Sequence, residues 1–131
     1  MSYQVTTGIQ VCQGAAASLP VIMSGRFTIT TNAVSASDGT ALSGFTVAAT
    51  AAKTGRFTVT LHRPFKRVVV AGCVLQGPDD TAFGNTNANH LNVRNVSTTT
   101  LYVQGILSST GADTAFADGS KVHLTLIGFD A

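Results

Sequence analysis

The amino-acid sequence predicts an all-β protein, a single-domain β-sandwich or jelly roll of about eight strands. The 131-residue chain is rich in Thr and Val, which favour strands, and it contains no Glu, a residue that commonly covers exposed helix surfaces. Several segments alternate apolar and polar residues, as a strand with one buried face does. Turn-forming clusters such as Ser37-Asp38-Gly39 and Ala117-Asp118-Gly119 separate these segments at short intervals.

The first element is an expected extended N-terminal arm over residues 1–20, followed by the β-sandwich domain over residues 21–131. Gly8, Gly14, the run of three alanines at 15–17 and Pro20 suit a chain that lies extended across another surface. The alternative is a first strand near residues 4–12 with an irregular linker. Another short strand is predicted near residues 19–23.

A repeated hexapeptide predicts two similar strands. Gly25-Arg26-Phe27-Thr28-Ile29-Thr30 returns as Gly55-Arg56-Phe57-Thr58-Val59-Thr60. In both copies the aromatic and aliphatic residues point to one face, and the threonines between them point to the other. Each copy is therefore expected to bury one face in the core, and a further strand is expected between them near residues 43–49.

The later strands are predicted from apolar patterning. The uninterrupted apolar run Val68–Leu75 is typical of a strand covered on both faces, and Lys66 and Arg67 before it would limit aggregation. Strands are also expected near residues 91–96 and 99–107. The last strand covers residues 121–129, with Val122, Leu124 and Leu126 facing the core. The polar stretch between Asp79 and His90 is expected to be a loop.

Composition narrows the range of functions. Charged residues make up 11% of the chain and the net charge is +2, too little to indicate a nucleic-acid partner. No apolar run approaches the roughly 20 residues of a membrane helix, and the N-terminus lacks the basic start of a secretion signal. We therefore expect a soluble, unexported protein with no direct contact to nucleic acid or membrane.

The sequence favours a protein that is not an enzyme and that holds no metal or cofactor. It carries no GxSxG, HExxH or phosphate-binding glycine motif, and its three histidines are scattered. Asp79-Asp80 is typical of a solvated turn. Cys12 and Cys73 are interpreted as small buried apolar residues, with a bridge between them as the alternative. A hydrolase would require Asp, His and Ser to converge in space, which spacing alone does not reveal.

Two segments are candidates for partner contact. Residues 53–77 carry five basic residues and no acidic ones. In the turn that they include, Phe65 is expected to be an exposed apolar anchor while Arg63, Lys66 and Arg67 bind carboxylates of an acidic protein surface. The alternative is a charged turn that protects the edge of the valine-rich strand. In the arm, a segment could add a strand to a neighbour's sheet through Tyr3, Val5 and Ile9.

The order of these segments resembles that of small β-rich structural proteins of tailed bacteriophages. The resemblance covers about residues 55–76 and 101–129: a strand, the proline turn Pro64-Phe65-Lys66-Arg67, a long apolar strand that ends Cys73-Val74-Leu75-Gln76, and a closing strand after Ala117-Asp118-Gly119. The loop between Asp79 and His90 departs from this pattern.

The resemblance implies a capsid decoration, or cement, protein. Such proteins are small jelly-roll domains, commonly homotrimers, that are made in the host cytoplasm and bind the exterior of the virion. There they clamp neighbouring subunits of the major capsid protein. The alternative within the same virion is a receptor-binding, fibre or tail-associated adhesion domain.

Overall fold

The fold is a two-layer β-sandwich, which confirms the predicted all-β class. The computed structural model describes residues 9–10, 19–35, 44–79 and 86–130, and within these ranges every regular element is a strand. No helix long and apolar enough to cross a membrane occurs in these ranges. Of the predicted N-terminal arm, only residues 9–10 and 19–20 are among them, so its extended path stays a prediction.

The first sheet contains five antiparallel strands: β1 (Ile9–Gln10), β2 (Val21–Thr30), β3 (Ala33–Ser35), β6 (Arg67–Gln76) and β10 (Ser120–Phe129). Their order is β1-β2-β10-β6, and β3 pairs with β2. The last strand in sequence therefore lies at the centre of this sheet, between two strands that precede it by long stretches of chain.

The second sheet also contains five antiparallel strands: β4 (Phe45–Ala49), β5 (Arg56–Leu61), β7 (His90–Asn95), β8 (Thr100–Leu107) and β9 (Ala112–Asp113). Their order is β4-β5-β8-β7, and β9 pairs with β8. Contacts between β6 and β7 and between β3 and β4 show which edges of the two sheets lie over each other.

The inward faces of both sheets form one core. The rings of Phe27 and Phe57 lie 5.8 Å apart across the sandwich, and Phe57 and Phe116 lie 5.9 Å apart. Phe27 and Phe57 are the aromatic residues of the two hexapeptide repeats, so the predicted orientation of both repeats is confirmed. The largest fully buried side chains also include Phe45, Met23, Ile29, Leu101, Leu124 and Leu126.

Two sequence predictions about strand boundaries are corrected. The strands expected at 19–23 and 25–30 form one strand, β2, because the inward-facing positions Val21, Met23, Phe27 and Ile29 keep a single register through Gly25. The two short strands β3 and β9 were not expected, since two or three residues carry no measurable alternation.

The prediction that the valine-rich run is covered on both faces is wrong. Among the described residues β6 pairs only with β10, so it is an edge strand. One face packs against the core through Val68, Val70, Cys73 and Leu75, while the other leaves Val69 39% and Val74 60% exposed. An uninterrupted apolar run lacks the alternation that distinguishes a solvent-facing side. The two-layer arrangement decides it instead, because only one face of the first sheet meets the second sheet.

A bulge lies in the middle of β6. Thr125 of β10 pairs with Gly72 and the next residue, Leu126, pairs with Val70, so Ala71 is one residue more than the partner strand requires. The extra residue lets Val68 and Val70 before the bulge, and Cys73 after it, face the same side.

Candidate functional site

The predicted basic contact segment is the turn that connects β5 to β6. Arg63 in this turn binds the carboxylate of Asp130 through two hydrogen bonds, Nη1 to Oδ1 at 2.8 Å and Nη2 to Oδ2 at 3.2 Å. These bonds lower the pKa of Asp130, and the positive charges of Arg63 and Lys66 act in the same direction. The guanidinium group of Arg63 therefore already has a carboxylate partner within the chain.

The expectation that Phe65 is an exposed anchor is wrong. The residue is only 3% exposed, and its ring occupies the space that Gly128 leaves by having no side chain. The guanidinium carbon of Arg63 lies 4.1 Å from the centre of the ring. The Phe65 amide donates a hydrogen bond to the carbonyl of Thr98 at 3.2 Å, which fixes the turn against the second sheet. Phe65 is thus part of the core and cannot present its ring to a partner.

Lys66 and Arg67 are at the surface, as a contact role requires. Both are exposed, and the guanidinium carbon of Arg67 lies 4.2 Å from the ring centre of Phe129. They line an open groove of about 360 Å³ together with Phe65, Val68 and residues 95–98. Within this lining, the Asn95 side-chain amide donates a hydrogen bond to the Val68 carbonyl at 3.2 Å. Partner contact through Lys66 and Arg67 stays a prediction.

The arm residues divide into two groups. Tyr3 and Val5 lie outside the described residues. Ile9 lies in β1, where its backbone pairs with Ile22 of β2 in the same chain. Strand addition to a neighbour by this segment stays a prediction, but at Ile9 and Gln10 one side of the strand is already paired.

The open side of β6 is a second candidate interaction surface. We call it the β6 edge and define it as the side of strand Arg67–Gln76 that faces away from β10, together with the outward side chains of Val69 and Val74. It extends over ten residues, and in the described part of the chain no strand pairs with it. The Asn95 side chain bonds to it at Val68, and β7 of the other sheet contacts β6. Few charges protect it, because Arg67 is the only charged residue in the strand.

Sequence reasoning missed a third surface, on the outward face of the second sheet. Three neighbouring strands place Arg56, Tyr102 and Arg94 there, and we call them the Arg–Tyr–Arg cluster. The guanidinium carbons of Arg56 and Arg94 lie 5.0 and 5.7 Å from the centre of the Tyr102 ring. Alternation along each strand identifies the three positions as solvent-facing, but only the strand pairing brings them together: Arg94 lies directly opposite Tyr102, and Arg56 lies on the diagonal.

Gln104 holds one arginine of this cluster in place. Its side-chain oxygen accepts a hydrogen bond from the Nε of Arg56 at 3.1 Å. Its amide nitrogen donates to the carbonyls of Thr54 at 3.0 Å and Gly105 at 2.9 Å. Gln104 is only 7% exposed, so the support beneath Arg56 is a buried, hydrogen-bonded side chain.

The titratable residues do not form a metal cluster within the described ranges. His123 lies on the outward face of β10, where its Nε2 is 2.7 Å from Oε1 of Gln76. Cys73 lies on the core side of β6, and burial raises the pKa of its thiol to about 11. Cys12 lies outside the described residues, so the choice between free thiols and a bridge stays a prediction.

Comparisons with known proteins find no matching family model, curated relative or solved structure.

Proposed function

We propose that this protein is a non-enzymatic structural protein of a phage virion. It binds the outer surface of the capsid, where it acts as a homotrimeric decoration protein that stabilises the shell. The resemblance to phage structural proteins supports this role, and the observation that carries the proposal is the β6 edge. A rigid sandwich that leaves a long apolar strand side open is built to be covered by another protein.

The composition of the edge argues against permanent exposure. Proteins that remain monomeric protect long edge strands with charges, prolines or bulges, because unpaired backbone groups invite pairing with other chains. β6 has a bulge at Ala71 and a charge at Arg67, yet Val69 and Val74 remain exposed between or beyond them. Burial of these two side chains and of the neighbouring backbone groups would therefore favour assembly.

In a trimer, a weak contact between each copy and a coat subunit is sufficient for tight binding to the capsid. A specific interface buries roughly 800 Å² on each partner, and a single contact of this size can be modest in affinity. When three linked copies engage neighbouring coat subunits at once, the second and third contacts form at a high effective concentration. Shell stabilisation then requires no chemistry, only simultaneous binding to several subunits of the major capsid protein.

The first experiment is the solution mass of the purified protein by native mass spectrometry. We expect a species near three times the chain mass of 13.4 kDa, and a strong shift towards monomer when Val74→Lys places a charge on the β6 edge. Ala48→Lys is the matched control, because it places the same charge at an exposed position of β4, an edge strand of the other sheet.

Capsid binding is the second experiment. The wild-type protein should co-sediment with undecorated phage capsids to saturation, and Val74→Lys should bind less tightly because avidity is lost. A wild-type protein that is monomeric and also fails to bind capsids would contradict the proposal. A trimer that is unaffected by Val74→Lys would contradict the role of the β6 edge.

A further inference from the structure

The Arg–Tyr–Arg cluster holds two positive charges against one ring. Neither Arg56 nor Arg94 forms an ion pair with any carboxylate of the described residues. Asp113 faces the same side opposite Ile106, which is four residues, or roughly 13 Å, along β8 from Tyr102. Two cations in one place repel each other unless an anion joins them, so the cluster is suited to bind one.

The cluster is also preorganised. The Nε of Arg56 is bonded to Gln104, which leaves both terminal nitrogens of the guanidinium group to donate to a ligand. The Tyr102 ring restricts both arginines, and an arginine that is already ordered loses less conformational entropy on binding. Arg94 is exposed and Arg56 half-buried, so a ligand can reach both.

The surroundings favour carboxylates of a protein over nucleic acid. Proteins that bind single strands stack successive bases on several aromatic side chains. Of the described residues, Tyr102 is the only Phe, Tyr or Trp on this outward face, and two guanidinium groups already contact its ring. The paired guanidinium groups match the planar, two-oxygen geometry of Asp and Glu side chains.

We propose that the Arg–Tyr–Arg cluster binds an acidic segment of a partner protein. Arg56 and Arg94 each pair with a carboxylate of that segment, and Tyr102 positions the two guanidinium groups. The site is distinct from the β6 edge, which belongs to the other sheet, so self-association and binding of the acidic partner can occur together. The inference does not depend on the proposed virion role; if that role holds, the acidic segment belongs to the coat subunit.

The probe is a fluorescently labelled peptide of about eight glutamates, roughly 26 Å long when extended. Its binding is followed by fluorescence anisotropy at low salt, where charge pairing is least screened. We expect saturable binding by the wild-type protein. Arg94→Gln and Arg56→Gln should each weaken binding at least about tenfold, which corresponds to about 1.4 kcal/mol.

The matched control is Lys121→Gln, which removes the same charge from the outward face of the first sheet. It should change the affinity less than about twofold, the effect of net charge alone. Tyr102→Leu keeps the net charge and removes the ring, so weaker binding by this variant identifies positioning rather than charge. Thermal unfolding of every variant verifies that the fold is retained.

Three results would overturn the inference. The first is a wild-type protein that does not bind the glutamate peptide. The second is equal weakening by Lys121→Gln and Arg94→Gln, which would mean unspecific attraction. The third is tighter binding of a thymidine oligonucleotide of the same length and salt, which would assign the cluster to nucleic acid. None of these measurements uses capsids, so a failed capsid experiment and a failed peptide experiment remain distinguishable.

Discussion

Gly128 shows how a single residue fixes the basic turn. A Cβ atom built at this position would lie 2.5 Å from the ring of Phe65, closer than real carbon contacts allow. Because the ring is buried and its near atoms are close to its own backbone, it cannot swing away freely. The absence of a side chain at residue 128 is therefore a packing requirement.

Gly128→Ala should lower the free energy of unfolding by about 1–3 kcal/mol, the usual cost of overpacking a core. Urea unfolding followed by circular dichroism measures this change. The matched control is Gly72→Ala, in the neighbouring strand, where an added Cβ meets no atom within 4 Å. It should change stability by less than about 0.5 kcal/mol. Equal effects of the two substitutions would disprove the packing role of Gly128.

The thiol of Cys73 should react slowly in the folded protein. Its pKa is raised from 9.0 to about 11 by burial, and only the thiolate reacts with alkylating reagents. At pH 8 this shift lowers the thiolate fraction about a hundredfold. Iodoacetamide should therefore modify Cys73 about a hundredfold more slowly in the folded protein than in urea, as followed by mass spectrometry in a Cys12→Ser background.

The raised pKa of Cys73 also determines how the free energy of unfolding changes with pH. The unfolded chain loses the Cys73 proton near pH 9 and the folded chain only near pH 11. The Cys73 thiol therefore makes its full contribution to the free energy of unfolding below pH 9, and this contribution is lost as the pH rises towards 11. Similar alkylation rates in folded and unfolded protein would show that the thiol is not buried from solvent.

Single residues could be predicted from the sequence where they lie in alternating strands. Phe27 and Phe57 face the core as their alternation indicates. Phe65 lies in a turn, where no period tells whether a side chain is inside, and its burial depends on Gly128, which is distant in sequence. The Arg–Tyr–Arg cluster could not be predicted, because its members meet only through the register of three strands.

At the scale of elements, the bulge in β6 predicts that deleting one residue there is tolerated, whereas the same deletion in a regular strand is not. Deleting Ala71 removes the residue that has no partner and leaves Val70 and Cys73 on the core side, so the fold should survive with a change below about 1 kcal/mol. The straightened strand should associate more strongly, because a bulge disturbs the pairing of an edge. Chemical unfolding and native mass spectrometry measure the two effects.

The control deletion is Asn92 in β7, a strand without a bulge. It would turn Val93 to solvent and Arg94 to the core, because a shift of one residue exchanges the faces of a strand. We expect this variant to be unfolded or strongly destabilised. If deleting Ala71 is as damaging as deleting Asn92, the assigned register of β6 is incorrect.

Element boundaries were predictable where turn residues bracket an alternating segment, as at β5 and β10. The pairing partners of the strands could not be predicted from the sequence. One face of β6 is exposed because the sandwich has two layers and only one face of each sheet meets the other. Its open backbone side follows from its place at the edge of the first sheet. The apolar run alone is equally compatible with a central strand.

At the scale of the whole molecule, the two sheets share one core through Phe57. Its ring contacts Phe27 of the first sheet and Phe116 in the loop before β10. Phe57→Ala should therefore lower the free energy of unfolding by about 3–5 kcal/mol and keep a single transition. Circular dichroism, which reports on both sheets, and tyrosine fluorescence at Tyr102 in a Tyr3→Phe background should give the same midpoint. Separate midpoints would mean that the sheets unfold independently.

The fold class and the sandwich arrangement were predictable from composition, alternation and turn spacing. The sheet order was not, because it depends on pairing between β2 and β10, which are nearly a whole chain length apart. The proposed role in a virion depends on the resemblance and the β6 edge, while the Arg–Tyr–Arg cluster was identified only from the structure.

The central position of β10 also determines which of the two sheets can be completed first during synthesis. During synthesis the strands of the second sheet are complete once Asp113 has been added, whereas the first sheet lacks its middle strand until residues 120–129 emerge. Until then the valines of β6 have no partner strand. Non-local pairing of this kind slows folding and leaves apolar strands exposed to other chains. The yield of folded protein should therefore depend on how quickly β10 pairs with β2 and β6.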